Sequence, residues 1–458
     1  MVTRQPVQWG SISLEEVLKS KDLRLEASVY ATKARQIKQR IAKSQYNSFK
    51  LSAVVNECFY PGRFKRDYRK KSDCTLGFIG SAEMLAINPE PQKWMPFTQE
   101  VSVQYGQLLF SRSGTIGNVT FVNETLSKLL VSEHAIRMNV PEYTGYIYAF
   151  FKSKYGYLIS NSLTHGSVVS QIEPHHLLNI DVPNAPKNIK QAIHQRIMDA
   201  FALRDKSNEL LQQAQGLLQK TLQLPPLDAF KRQDRQPETW SVNVADLVGR
   251  FEAAYHNPMV HRIERHLQKH SKQVSTLADR SLVSEIILPG RYKRHYVEPE
   301  FGIPFLGGKE ILELDPRGEK YLSLKRHSDE IANELTLSEN MILVTRSGTI
   351  GKVVLVPAHW TGWAASEHLL RVKPVNDDMA GYLAVWLKSP WALPLIQRHT
   401  YGSVIFEIDQ YHLAEVYVPL LDDDIMTQIN TLALEANALR TQAFVQEQEA
   451  LVMFEGIF

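Results

Sequence analysis

The chain has 458 residues, 44% of them hydrophobic and 22% charged, with a formal net charge of +3. That much apolar material can fill two sizeable cores and excludes global disorder. No run approaches the roughly 18 apolar residues of a membrane span, and the only cysteines, Cys58 and Cys74, exclude a disulfide framework or a cysteine-based zinc site. The first residues lack an apolar secretory core, which predicts a cytoplasmic protein with no membrane partner. A charge excess this mild leaves nucleic acid open, and its distribution matters more than its sum.

In chain order the sequence repeats itself. Arg24-Leu25-Glu26-Ala27 recurs as Arg250-Phe251-Glu252-Ala253, and Pro61-Gly62-Arg63-Phe64-Lys65-Arg66 as Pro289-Gly290-Arg291-Tyr292-Lys293-Arg294. Residues 108–122, LLFSRSGTIGNVTFV, match nine of fifteen positions in residues 342–356, ILVTRSGTIGKVVLV, at an offset of 234. Ser132-Glu133-His134 maps onto Ser366-Glu367-His368 at that same offset. Gly145-Tyr146, Gly166-Ser167-Val168 and Pro183 recur as Gly381-Tyr382, Gly402-Ser403-Val404 and Pro419 at an offset of 236. Collinear matches with slowly drifting offsets mean a tandem duplication. Its unit of roughly 230 residues is a domain pair, longer than any solenoid repeat.

Each unit opens with short strand-like runs broken by Gly and Ser turns and closes with a long helix. In the first unit Ile189, Ile193, Ile197, Ala200, Leu210, Ala214 and Leu217 mark the helix face, and Pro225-Pro226 ends it. In the second, Ile425, Ile429, Leu432, Ala436, Leu439, Ala443, Gln446, Ala450 and Met453 step by four and three, a heptad seam. Asp422-Asp423-Asp424 suits that helix's N-terminus. The predicted bounds are 1–186 and 240–420 for the mixed domains, 187–222 and 421–458 for the helices, and 223–239 for a linker. Alanine on the seam implies close helix approach, and equivalent placement after each unit favours pairing of the two helices with each other.

Common catalytic signatures are missing. There is no phosphate-binding loop: Ser347-Gly348-Thr349-Ile350-Gly351-Lys352 has the wrong spacing, and Asn118 stands where its copy has Lys352. There is no zinc-ligand cluster, dinucleotide fingerprint or Asn/Asp-Pro-Pro-aromatic methyltransferase motif. Ser132-Glu133-His134 and its copy invite a catalytic reading, with Ser as nucleophile and His as base. On a strand, Ser and His would share one side and Glu would point away. Adjacency in sequence does not make a triad, and duplication of the motif favours a structural role.

The duplicated strand–[ST]-R-S-G-T-I-G turns at 109–117 and 343–351 resemble the specificity subunit of type I restriction–modification systems. The segments 166–177 and 402–413, each followed by Val-Pro and a helix, extend the likeness over nearly the whole chain. The resemblance implies an α+β fold: a tandem duplication of a mixed α/β target recognition domain, each followed by a long helix, the helices pairing as an antiparallel coiled coil. It implies a non-catalytic subunit that reads the two halves of an asymmetric bipartite site in double-stranded DNA. It also implies docking of two methyltransferase subunits, with restriction/translocase subunits as further partners of the complex. No cofactor is expected on this chain, and S-adenosylmethionine is expected on the partner methyltransferase. The proline-rich stretches 182–191 and 418–426 depart from the family's usual segment before the helix, so a related defence complex is equally in view.

A DNA reader needs phosphate anchors and base readers. Arg63, Lys65, Arg66, Arg69, Lys70 and Lys71 lie within nine residues, interleaved with Phe64 and Tyr68, and the second unit has Arg291, Lys293 and Arg294 with Tyr292 and Tyr296. Arg112 with Ser113, and Arg346 with Ser347, precede the turn glycines Gly114 and Gly348, which would let backbone approach a phosphate. The alternative is a structural turn in which these arginines cap Glu133 and Glu367. His165 and Arg398 are weaker candidates. The segments that differ most between units, 67–78 against 295–305 and 84–107 against 312–341, should carry base readout. A helix of about 32 residues spans roughly 48 Å, which separates the half-sites by more than one ~34 Å DNA turn. Ile193, Ile197, Leu210, Leu217, Ile429, Leu432 and Leu439 are the expected coiled-coil and docking positions. A freestanding nucleic-acid-processing enzyme with repeated Ser-Glu-His sites, and a helical scaffold that binds only protein, are the competing readings.

Overall fold

A computed structural model describes residues 11–19, 32–114, 116–164, 171–231, 239–314, 316 and 320–458. The first members of two repeat pairs, Arg24–Ala27 and Gly166–Val168, lie outside them, as do His165 and residues 232–238 of the expected linker. The chain divides into two compact units, Met1–Asp205 with Ala443–Phe458, and Lys206–Gln442. Each is an α+β body.

The first unit is built on a four-stranded antiparallel sheet with strand order Glu57–Phe59, Ala135–Asn139, Leu108–Ser111, Val119–Phe121. All four residues of Leu108–Ser111 are buried, as expected of a short apolar run covered on both faces. A smaller sheet joins Lys93–Met95, Leu76–Ile79 and Leu130–Val131, the last pair parallel. The second unit repeats the plan with Val283–Ile287, Leu369–Pro374, Ile342–Thr345 and Val353–Leu355. The register repeats too: Leu109 faces Arg137 as Leu343 faces Arg371. The duplication seen in sequence is therefore a duplication of strand order and pairing.

The Gly-Tyr repeat has a packing explanation. A Cβ on Gly145 would lie 2.7 Å from the His194 carbonyl oxygen, and one on Gly381 would lie 2.6 Å from that of Asn430. Only glycine lets the helices Thr144–Lys152 and Asp377–Lys388 come this close to the long helix. The glycine N–H groups then donate to His194 Nδ1 at 3.0 Å and Asn430 Oδ1 at 2.7 Å. Burial lowers the pKa of His194, in keeping with a neutral acceptor ring. The following tyrosines donate their hydroxyls to the carbonyls of Pro183 and Pro419, the repeated prolines.

The long helices run over Lys187–Thr221 and Asp423–Glu455. Each contributes to both units: residues 443–458 belong to the first and 206–221 to the second. Their seams also differ from the expected ones. Buried residues spaced by three, four or seven are Ile193, Ile197, Ala200, Arg204, Ser207, Ala214 and Leu218 on the first, and Ile429, Ala433, Ala436, Ala443, Glu447, Ala450 and Phe454 on the second. Ile193, Ile197, Leu210 and Ile429 are buried as expected, whereas Leu217, Leu432, Leu439, Gln446 and Met453 are half-buried. The alanine row is on the seam, but its companion row stands one residue later. Small residues suffice where helices approach closely, and Leu217 and Leu432 sit beside the seam, packed against the second unit's core. Within the second unit, Ser207 donates to the Ala436 carbonyl at 2.8 Å across this contact.

Within the first unit, Glu447 is fully buried and accepts from Arg204 and from the Tyr148 hydroxyl, each at 2.5 Å. Burial opposes its charge, but Arg204, Lys152 and the Tyr148 hydroxyl outweigh that and hold the carboxyl at about 2. Removing one member of such a pair strands a buried charge. Arg204→Met should therefore cost about 3–5 kcal/mol in urea unfolding, and adding Glu447→Leu should recover most of it. The carboxyl's folded pKa lies below its unfolded value of 4.5, so its contribution is present above that pH and is lost as pH falls toward about 2. The difference in stability between wild type and Glu447→Leu should shrink over that window.

Candidate nucleic-acid interface

In each unit the three repeated motifs meet at one place. In the first, the strand Leu108–Ser111 delivers Arg112 and Ser113 to the sheet's end, and Ala135–Asn139 begins just after Ser132-Glu133-His134. The Arg112 N–H donates to the His134 carbonyl at 2.8 Å, and Ser113 Oγ lies 2.8 Å from His134 Nδ1. Arg66, from the basic segment, donates to Glu133 Oε1 at 2.8 Å. Burial pushes the Glu133 carboxyl up, but its own backbone N–H and Arg66 pull it further, to a net position below its ordinary range. The second unit repeats this with the Arg346 N–H to the His368 carbonyl at 3.0 Å, Ser347–His368 at 2.7 Å and Arg294–Glu367 at 2.7 Å.

Arg112 and Arg346 do not cap Glu133 and Glu367, which are taken by Arg66 and Arg294. They reach the segment after the Gly-Ser-Val repeat instead. Arg112 pairs with Glu173 at 2.7 Å and lies over the Tyr60 ring at 4.0 Å. Arg346 pairs with Glu407 at 2.8 Å and donates from Nε to the Ile408 carbonyl at 2.8 Å. Arg346 is only 5% exposed and clamps the turn from within. Gly114 and Gly348 hold φ values of 79° and 71°, with open space where a Cβ would sit, so glycine is required there by the turn's handedness.

Beneath each Ser-Glu-His turn lies a buried arginine that the sequence analysis did not single out. Arg137 donates to the carbonyls of Ser132, Ala135, Val131 and Val101. Arg371 does the same for Ser366, Leu369, Ala365 and Leu335. Burial lowers both guanidinium pKa values to about 10. The signal was available, since both arginines follow the motif histidine by three residues.

Around these fixed centres the basic segments are open. Arg63, Lys65, Arg69, Lys70 and Lys71 are exposed, as are Arg291 and Lys293 in the second unit. Arg69 is held by Asp67 at 2.6 Å, and Lys71 lies over the Trp94 ring at 4.8 Å. Arg398 is a structural residue: it pairs with Glu264 and sits over the Tyr255 ring at 4.4 Å. Of the segments expected to differ, 67–78 and 295–305 contribute to the smaller sheet. Arg69 bridges to Trp94 where Tyr296–Val297 forms a strand.

The Ser-Glu-His motif is not a strand in either unit, and Ser132 and Ser366 are 2% exposed. The histidines face Ser113 and Ser347 instead. The nearest carboxylate oxygens, on Glu133 and Glu367, lie 3.9 and 3.8 Å from the imidazole Nε2 atoms, beyond hydrogen-bond distance, and are already paired with arginine. A triad needs a carboxylate bonded to the base. Among the described residues no group of three or more His, Cys, Asp or Glu side chains could hold a metal. No described helix is long and apolar enough to cross a membrane.

The fold and its sites define a duplicated α+β protein with two equivalent arginine-clamped turns beside exposed basic segments. No family model matches the chain, and no curated protein does. Among solved structures the chain is similar to the S subunit of the type I restriction–modification system from M. genitalium, at 10% identity over 91% of this chain and 96% of that one, TM-score 0.37. It is similar to the HsdS subunit from Thermoanaerobacter tengcongensis, at 12% identity over 90% and 96%, TM-score 0.28. A third such chain, from work on assembly and conformational transition of the type I R-M system, has 13% identity over 90% and 96%, TM-score 0.29.

If the buried arginines hold the turns, Arg371→Met should cost on the order of 3 kcal/mol, because several buried carbonyls lose their donor. Arg371→Lys should recover only part, since one ammonium cannot span four acceptors. Urea titration reads this, and a loss under about 1 kcal/mol for the methionine variant would refute it.

Proposed function

We propose that the chain is the DNA sequence-specificity subunit of a type I restriction–modification or related defence complex. In this reading each unit contacts one half of a bipartite duplex site, and the chain itself performs no chemistry. The observation that supports it best is the duplicated site. Two units repeat the same clamped turn and its first exposed cations, yet differ in the segments that follow, 67–78 against 295–305. A shared scaffold with divergent surfaces suits a reader of two unlike half-sites. An enzyme would have little use for two inactive-looking Ser–His pairs with arginine-bound carboxylates.

Arg63, Lys65 and Lys70 would supply phosphate contacts in the first unit, and Arg291 and Lys293 in the second. Arg66 and Arg294 would hold the turn through Glu133 and Glu367 and hand little net charge to DNA. Ser113 and Ser347, engaged with histidine, would position the turn. The outward faces of the long helices would dock two methyltransferase subunits, which would bind S-adenosylmethionine, and any restriction/translocase subunits of the complex.

Purification of the tagged chain from its host tests this directly. A methyltransferase bearing an Asn/Asp-Pro-Pro-aromatic motif should co-purify at two copies per chain. The complex should bind duplex DNA with an affinity that falls steeply with salt. Arg63→Ala/Lys65→Ala/Lys70→Ala should flatten the slope of log K against log salt by about 2–3, since each phosphate contact contributes roughly 0.9. Absence of duplex binding at low salt with partners present would favour a protein-only scaffold instead.

A further inference from the structure

In the second unit the segment Tyr401–Glu407 forms a small closed projection. The Tyr401 N–H donates to the Glu407 carbonyl at 3.0 Å and the Glu407 N–H returns to Tyr401 at 2.9 Å. Gly402 takes φ 106°, and a Cβ there would meet the Ile405 carbonyl oxygen at 2.3 Å, so the tight turn requires glycine. The stem is fixed from below. Glu407 takes Arg346 at 2.8 Å and Arg291 at 3.2 Å, and the Ile408 N–H donates to the Arg346 carbonyl at 2.9 Å. Ile408 itself is fully buried. The tip is the opposite: Val404, Ile405 and Phe406 are 91%, 62% and 57% exposed. Among the described residues no other three consecutive large apolar side chains are so exposed.

We infer that Val404-Ile405-Phe406 is a wedge that inserts at a base step of duplex DNA; the inference rests on the DNA-reading function proposed above. An apolar tip on a rigid stem is costly in water and marks a contact surface. Its surroundings select the occupant. Arg291, 74% exposed on its side chain, sits at the stem, and Lys293 is exposed two residues on. Two arginines cancel the Glu407 carboxylate, so the stem does not repel phosphate. Cations around a protruding Ile-Phe pair match a duplex, with phosphates outside and a separable stack within. Side chains of this kind part base steps and kink DNA, a cost recovered through added backbone contacts. By sequence, Val168-Val169-Ser170 stand at the equivalent place in the first unit, without the aromatic residue. Unstacking is therefore assigned to the half-site read by the second unit.

The test uses the full chain with its co-purifying partners and a pool of random-sequence duplexes. Bound duplexes are treated with permanganate, which oxidises unstacked thymines, and are then sequenced. Wild type should yield one reactive position in one half of the footprint. Val404→Ser/Ile405→Ser/Phe406→Ser should abolish that reactivity and weaken binding roughly ten-fold with an unchanged salt slope, as expected for lost stacking with phosphate contacts intact. Phe406→Ser alone should lose most of the reactivity, and this serves if the triple variant fails to fold. Phe406→Trp should retain it. Wild-type binding without a reactive position, or an unchanged pattern and affinity in the serine variants, overturns the wedge. Failure of wild type to bind any duplex overturns the DNA-reading function itself.

Discussion

Each unit depends on one buried guanidinium. Arg137 and Arg371 are almost wholly removed from water, yet among the described residues no carboxylate bonds to them directly. Their charge is met by four main-chain carbonyls apiece, gathered from the Ser-Glu-His turn and from a segment more than thirty residues upstream. A planar fork of donors can close such a cage, whereas a lysine ammonium cannot. Once the cage is closed, the turn above it is fixed. Its histidine then meets the Ser of the RSGTIG turn, and its glutamate meets an arginine of the basic segment, Arg66 or Arg294. Three motifs far apart in sequence become one rigid platform.

That platform explains a division of labour among the charges. Arginines that repeat in both units are largely consumed internally: Arg66 and Arg294 by the turn glutamates, Arg112 and Arg346 by Glu173 and Glu407. Their exposed cationic neighbours are Arg63, Lys65 and Lys70 in one unit and, in the other, Lys293 and Arg291, the latter also touching Glu407. Recurrence thus covers the frame and its nearest exposed cations, Arg63 with Arg291 and Lys65 with Lys293, while the segments that follow, 67–78 and 295–305, vary. In the first unit Arg69 bridges to Trp94 at the edge of the smaller sheet, and in the second a true strand, Tyr296–Val297, occupies that edge.

The long helices show a comparable economy. Their alanine rows bring backbones close, and the Gly-Tyr repeat lets a domain helix lie against each of them. A buried Arg204–Glu447 pair with Tyr148 sits on the first unit's seam. Buried ion pairs add little net stability over apolar residues but penalise misalignment heavily. Here that penalty would fall on any register that separates Arg204 from Glu447.

The sequence by itself determined the duplication, the α+β character, the two long helices and the three motifs that build the site, because these are local patterns or literal repeats. It also located the exposed basic segments. What only the tertiary structure decided was the pairing among those residues. A guanidinium can serve phosphate, carboxylate or carbonyl, and sequence does not say which acceptor will stand within 3 Å. Hence Arg112 and Arg346 went to Glu173 and Glu407 and not to Glu133 and Glu367, and the caged arginines passed unnoticed as ordinary strand residues. The helix seam shifted for a similar reason. Leu432 and Met453 satisfy a heptad as well as Ala433 and Phe454 do, and the choice depends on which face the folded domain covers.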